Sequence, residues 1–132
     1  MQKTGNLNSY VTLVTNPEYV TGAIALARSL KMVESEWPLT VLSLRDLPGL
    51  ERLESLGCQV LTVAPLDVSD AFQVRHSRKS QHESAPFTKG TKPTFHNPLD
   101  NFAKLRLWEL TPFERVVFLD ADLVVVQNND RL

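Results

Sequence analysis

The sequence of 132 residues has little of several features that mark particular classes of protein. Cys58 is its only cysteine, so no disulfide can form within the chain. No apolar stretch approaches the roughly 20 residues that span a bilayer, and the first residues lack the apolar core of a secretory signal. The formal net charge of −1 argues against the broadly basic surface that nucleic acids require. We therefore expect a cytoplasmic protein with neither a membrane nor a nucleic-acid partner.

The composition is that of an ordinary globular domain, with 42% hydrophobic and 22% charged residues. At this length we expect one domain with one core. The predicted elements alternate as β-α-β-α-β, followed by an irregular stretch and then α-β. Such alternation is typical of an α/β fold, an open parallel sheet with crossover helices.

Hydrophobic spacing predicts the first helix and the strands that follow it. The helix spans about residues 17–33, and the side chains that it buries at helical spacing are Val20, Ile24, Ala27 and Leu30. The next strands are predicted at residues 39–44 and 59–64.

Between these strands the sequence predicts a short helix with Asp46 as its N-cap and Gly57 as its end. Its leucines at positions 50, 53 and 56 form one apolar stripe and belong to the core. We expect Cys58 to be a small buried hydrophobe and not a nucleophile.

Two carboxylates follow a hydrophobic strand late in the chain. Asp120 and Asp122 come directly after the apolar residues 116–119. Ligands of open α/β sheets bind beyond the carboxyl ends of the strands. Residues two apart on an extended chain point the same way, so both side chains can share a hard metal ion that prefers oxygen ligands. An aspartate at a strand end is also a common turn residue, so the motif depends on its context.

That context comes from the first strand, which leads directly into a helix. Residues 10–15 are rich in β-branched side chains, Asn16 is a favourable N-cap, and Pro17 suits the first helical position. Tyr19 lies one turn into the helix, where its ring can lie against a base. The alternative is that Asn16 is only a cap and Tyr19 only a packing ring.

Together with residues 23–30, residues 104–110 and the Asp120-Ala121-Asp122 motif, this segment resembles the glycogenin-like branch of glycosyltransferase family 8. The order and spacing of the motifs match over about residues 10–128. The resemblance implies the GT-A fold and transfer of a hexose from a UDP-sugar, with retention at the anomeric carbon. It identifies neither a catalytic residue, nor the sugar, nor the acceptor.

The resemblance also implies roles for particular residues. Asp120 and Asp122 would hold Mn²⁺ or Mg²⁺ against the diphosphate of the donor, with Ala121 between them in the donor site. The positions that match the cradle for uracil and ribose are Leu13, Thr15, Asn16 and Tyr19. Lys104 matches a basic residue that meets the donor.

The middle of the chain, residues 65–97, predicts an irregular or disordered excursion. Its basic cluster at residues 75–79 either folds over the donor diphosphate, through Arg75, Arg78 or Lys79, or is only a solvated charge run. The three histidines, His76, His82 and His96, lack metal-ligand spacing and are predicted to lie at the surface.

A further helix is predicted to begin at Asn97-Pro98. Phe102, Leu105 and Trp108 are expected on its buried side. After Asp122, the valines at positions 124–126 are expected to continue a strand.

Members of the family continue well beyond the D-x-D motif, so the resemblance implies that this chain is the donor-binding half of a transferase. The alternative is a non-catalytic α/β module that binds a nucleotide or another protein. An open sheet edge would also favour self-association into a homo-oligomer.

Overall fold

The computed structural model describes residues 7–76 and 98–131. In these ranges an open, all-parallel sheet has the strand order β3-β2-β1-β4. Its strands are β1 (Asn8–Val14), β2 (Leu39–Ser43), β3 (Gln59–Thr62) and β4 (Arg115–Phe118). The helices are α1 (Pro17–Met32), α2 (Leu50–Ser55), α3 (Asp70–Arg75) and a 3₁₀ helix (Pro98–Glu109). The predicted α/β open sheet is confirmed.

The strand order places a crevice between β1 and β4. From β1 the chain moves through α1 to β2 and then through α2 to β3, so that the sheet grows in one direction. It then returns to the opposite side of β1 with β4. Connections that leave in opposite directions create a switch point, where ligands of open α/β sheets bind. The carboxyl ends of β1 and β4 are therefore the expected location of a site.

Helix α1 begins and ends where the sequence predicts. The side chain of Asn16 accepts a hydrogen bond of 3.0 Å from the backbone N–H of Tyr19, and Pro17 occupies the first turn. The buried side chains include the four that were predicted, Val20, Ile24, Ala27 and Leu30. They pack on one face of the sheet with Tyr10, Val14 and Val41. Burial of this apolar stripe is what stabilises the helix.

The predicted cap of the second helix is wrong. Helix α2 begins at Leu50, after Gly49 with a φ of 93°, and no side chain of the described residues caps it. Asp46 lies in the exposed loop before it. The turn at Gly49 delays the helix start because a glycine tolerates a backbone conformation that other residues avoid. Gly57, with a φ of 88°, follows the helix end as predicted.

Cys58 lies in the same core as α1, with 9% of its surface exposed. Burial raises the pKa of its thiol, against the opposing charge of Lys31. Its prediction as a buried hydrophobe is confirmed.

The 3₁₀ helix covers the other face of the sheet, but not with the side chains that were predicted. Leu105 and Trp108 are 51% and 75% exposed, and Phe102 packs edge-on against Phe72 of α3. Ala103 is buried instead, beside Val11, Leu13 and Leu42, with Leu107 and Leu110 partly buried next to it. The prediction chose the largest apolar side chains, whereas the small Ala103 lets the helix backbone approach the sheet closely.

Residues 121–130, which we call the return segment, run beside α1 and form no strand, so the predicted strand at residues 124–126 is wrong. The backbone N–H of Val125 donates to the Ser29 hydroxyl at 2.8 Å. Further along, the Asn128 side chain donates to the Val33 carbonyl at 3.0 Å. Val125 packs against the core under α1, whereas Val124 and Val126 are 60% and 88% exposed.

Part of the range 65–97 is helical, since α3 lies within it. Arg75 is exposed at the end of α3, and His76 stacks on Phe72 with ring centroids 4.0 Å apart. Residues 77–97 lie outside the described residues, and with them the predictions for Arg78, Lys79, His82 and His96. No helix in the described part of the chain is long and apolar enough to span a bilayer.

Candidate functional site

A cleft of about 190 Å³ opens at the switch point between β1 and β4. Its lining consists of Leu13, Thr15, Tyr19, Asn101, Lys104, Phe118, Asp120, Ala121 and Asp122. These residues come from the end of β1, the start of α1, the 3₁₀ helix, and the end of β4 with the turn after it. Of the eight site residues predicted from the sequence, seven line this one cleft, and Asn16 does not.

Asn16 does not line the cleft but bonds to two residues that do. Its side-chain oxygen accepts the N–H of Tyr19 at 3.0 Å, and its amide nitrogen donates to the Thr15 hydroxyl at 3.4 Å. A cap of this kind satisfies a backbone donor that the helix leaves free. Asn16 therefore fixes the backbone between two lining residues, which is the role that the alternative interpretation gave it.

Asp120 and Asp122 reach the cleft by a turn and not by an extended strand. Strand β4 ends at Phe118, and the N–H of Leu123 bonds to the Asp120 carbonyl at 3.3 Å. Ala121, at the centre of this turn, is only 5% exposed and belongs to the core under α1. The expectation of an extended chain at these positions is therefore wrong, although both aspartates line the same cleft.

The Tyr19 side chain lies close enough to both carboxylates for them to affect its ionisation. Burial raises the pKa of Tyr19, and the negative charges of Asp122 and then Asp120 raise it further. The hydroxyl therefore stays protonated at neutral pH and can donate a hydrogen bond. A neutral ring and two carboxylates thus line the same cleft.

Lys104 is the cation among the described lining residues. Its ammonium lies 3.2 Å from an Asp120 carboxylate oxygen and 5.1 Å from the centre of the Phe118 ring. The Lys104 and Asp120 side chains are 42% and 58% exposed, so the pair contributes little to stability. A pair that is weak and open to solvent can be rearranged by a ligand that carries its own charges.

Sequence reasoning missed two lining residues, Asn101 and Phe118. Asn101 precedes Lys104 by three residues in the 3₁₀ helix, where residues three apart lie on one face. Residues three apart also share a face of an α-helix, so the spacing from Lys104 was the signal that could have identified Asn101. Phe118 ends β4, and its apolar character had suggested only core.

The carboxylates of Asp120 and Asp122 suit a hard divalent cation, which prefers oxygen ligands. Within the described residues, no group of three or more histidine, cysteine, aspartate or glutamate side chains is placed to hold a metal. A cation bound here would complete its coordination with water or with oxygens of a ligand. The donor set therefore fits Mg²⁺ or Mn²⁺ bound together with an anionic ligand such as a diphosphate.

Comparison with known proteins assigns the chain to a family. The model of Glycosyl transferase family 8 matches residues 10–132. Galactinol synthase 1 of Ajuga reptans is 33% identical over 97% of this chain and 34% of its own length. Galactinol synthase 7 of Arabidopsis thaliana is 32% identical over 99% of this chain and 35% of its own length. Galactinol synthase 1 of Solanum lycopersicum is 32% identical over 94% of this chain. The chain spans about a third of the length of these curated relatives.

Proposed function

Because the chain belongs to glycosyltransferase family 8, as the resemblance had implied, we propose that its cleft binds the UDP-sugar donor of a metal-dependent, retaining hexosyltransferase. The observation that carries this proposal is the convergence of two separate segments at the switch point. Thr15 and Tyr19 come from the first strand and helix, and Asp120 and Asp122 follow the last strand, yet they line one cleft. This convergence supports donor binding by the described part of the chain, and sugar transfer belongs to the same proposal.

Each part of the cleft has a role in this proposal. The Tyr19 ring stacks on the uracil, while Leu13 and Thr15 contact the base and ribose from the end of β1. Asp120 and Asp122 hold Mn²⁺ or Mg²⁺ against the diphosphate. The bound ion supplies Lewis-acid assistance by neutralising charge on the departing UDP.

Lys104 acts on the same diphosphate from the 3₁₀ helix, beside Asp120. Its ammonium is already held at the cleft by Asp120 and the Phe118 ring, so it is placed to meet an incoming anion. An amine with three donors suits the non-bridging oxygens of a phosphate. The names of the matched relatives make UDP-galactose the first donor to test, with UDP-glucose beside it.

The test is calorimetric titration of UDP into the folded chain, with and without Mn²⁺. We expect Mn²⁺ to strengthen UDP binding and Asp122→Asn to abolish that gain, because an amide removes a charged ligand. Asp46→Asn is the matched control, since Asp46 is an exposed loop aspartate outside the cleft. Equal UDP affinity with and without metal in the folded wild-type chain would overturn the metal assignment.

A catalytic domain and a non-catalytic nucleotide-binding module would both bind UDP in this way. Release of sugar from UDP-galactose and UDP-glucose, measured on the same samples, identifies a transferase when the release depends on metal. UDP binding without release is expected of the module and also of the donor-binding half of a transferase.

A further inference from the structure

Gly22 lies where α1 touches the turn that carries the two aspartates. A Cβ atom added to Gly22 would overlap the backbone carbonyl oxygen of Ala121. The same atom would lie 3.2 Å from the Ala121 carbonyl carbon and 3.8 Å from the Asp122 nitrogen. These neighbours are backbone atoms and not the ends of flexible side chains, so a methyl group cannot be accommodated by a rotamer change. The helix and the turn therefore approach each other as closely as they do because position 22 is a glycine.

The backbone conformation of Gly22 does not by itself require glycine. Among the described residues, the glycines with positive φ are Gly49 and Gly57, whereas Gly22 lies within the regular helix α1. A glycine inside a helix costs about 1 kcal/mol relative to alanine. The feature of this position that explains a glycine is the close approach of Ala121.

One face of α1 receives both the turn and the chain that follows it. Tyr19, Gly22 and Ser29 are spaced by three and seven residues, so they lie along one side of the helix. Tyr19 lines the cleft, Gly22 touches the turn, and the Ser29 hydroxyl accepts the N–H of Val125 at 2.8 Å. The turn is thus held against the same helix that presents the tyrosine.

We propose that Gly22 is a positioning residue that sets the distance between α1 and the Asp120–Asp122 turn, and thereby places the Asp122 carboxylate relative to Tyr19. The inference rests on the proposed function, because it concerns the geometry of the same donor site. A methyl group at position 22 displaces the turn while the sheet and α1 stay in place. The consequence is a donor site in which the metal ligands and the base-binding ring no longer fit one nucleotide.

The test compares Gly22→Ala with Thr21→Ala. Thr21 is exposed on the neighbouring position of α1, and alanine raises helix propensity at both sites. We expect both variants to show native circular dichroism and cooperative unfolding. Only Gly22→Ala should shift the backbone amide NMR signals of residues 120–123 while leaving those of β3 unchanged. In the same variant the Mn²⁺-dependent gain in UDP affinity should fall by about 10-fold or more, the scale for residues that orient metal ligands.

The two readouts separate this inference from the proposed function. Shifted signals at residues 120–123, in a protein that never binds UDP, would support the role of Gly22 in placing the turn and overturn the proposed function. Unchanged signals with an unchanged Mn²⁺ effect, in a protein that binds UDP, would overturn the role of Gly22 alone.

A second variant decides the outcome if Gly22→Ala does not fold. Gly22→Ala combined with Ala121→Gly gives the turn a residue that can adopt conformations closed to alanine, so the carbonyl can rotate away from the new methyl group. Recovery of folding in the double variant supports the contact between position 22 and the turn. A double variant that stays unfolded would overturn the proposal, because the methyl group would then be separating α1 from the sheet.

Discussion

Replacing Tyr19 with alanine should weaken UDP binding by about 1 to 2 kcal/mol, which is about 5- to 30-fold in Kd. Stacking of a base on an aromatic ring contributes about 1 to 3 kcal/mol. We expect the lower part of that range because the cleft is open to solvent and the Tyr19 ring covers one face of the base. Binding of Mn²⁺ in the absence of nucleotide should change much less, since the ring is not a ligand.

Tyr19→Phe separates the ring from its hydroxyl. The hydroxyl lies near Asp122 and Asp120, whose charges help to raise its pKa, but phenylalanine keeps the stacking surface. We therefore expect Tyr19→Phe to lose less than about 1 kcal/mol of UDP affinity, within the usual scale of one neutral hydrogen bond.

Calorimetric titration of UDP at saturating Mn²⁺ measures both variants against the wild type. Unchanged UDP affinity in Tyr19→Ala would show that the ring only packs against the sheet. A loss in Tyr19→Phe equal to that in Tyr19→Ala would refute stacking and place the interaction on the hydroxyl.

Two further predictions concern stability. Asp130→Ala should destabilise the protein by about 1 to 3 kcal/mol at neutral pH, because its carboxylate accepts hydrogen bonds from the Tyr10 and Ser35 hydroxyls and the Glu36 N–H, at 2.7 to 3.0 Å. Burial opposes ionisation, but these bonds hold the pKa of Asp130 below its usual value. The stabilisation is therefore present above the unfolded-state pKa of about 3.9 and is lost as the pH falls below it. Urea unfolding at several pH values checks this, and a gap between wild type and variant that stays constant down to pH 2 would contradict it. Thr12→Val should raise the free energy of unfolding by about 1 kcal/mol, because the fully buried Thr12 hydroxyl has no hydrogen-bond partner among the described residues. A less stable valine variant in the same urea experiment would show that this hydroxyl is satisfied in solution.

Local patterns were enough to predict α1 and the position of the aspartate motif. The Asn16-Pro17 start and the spacing of Val20 and Ile24 are signals within one turn or two of helix, and the structure follows them. A hydrophobic run followed by Asp120 likewise needs no distant information to mark the end of a strand. Hydrophobic runs in strands and helical spacing between them are sequence patterns typical of a parallel sheet.

Other features depend on contacts between distant parts of the chain. Trp108 is exposed and Ala103 buried because the 3₁₀ helix turns its small side chain to the sheet, which hydrophobicity alone does not predict. Val125 belongs to no strand, and its N–H bonds instead to the Ser29 hydroxyl, 96 residues away in sequence. Asn101 joins the cleft only through the helix on which it stands. In each case tertiary packing overrides the local preference.

The return segment has a consequence for the order of folding. Asp130, at the end of the segment, accepts a hydrogen bond from Tyr10, which lies 120 residues earlier in the sequence. Ala121, at its start, contacts Gly22 on α1. Closing a loop of that size costs entropy before any contact in the segment offsets it. Strand β1 and helix α1 provide the surface on which the segment docks, so they must form first. We therefore expect the two aspartates to reach their place among the last events of folding, and local opening of the segment to displace them while the sheet persists.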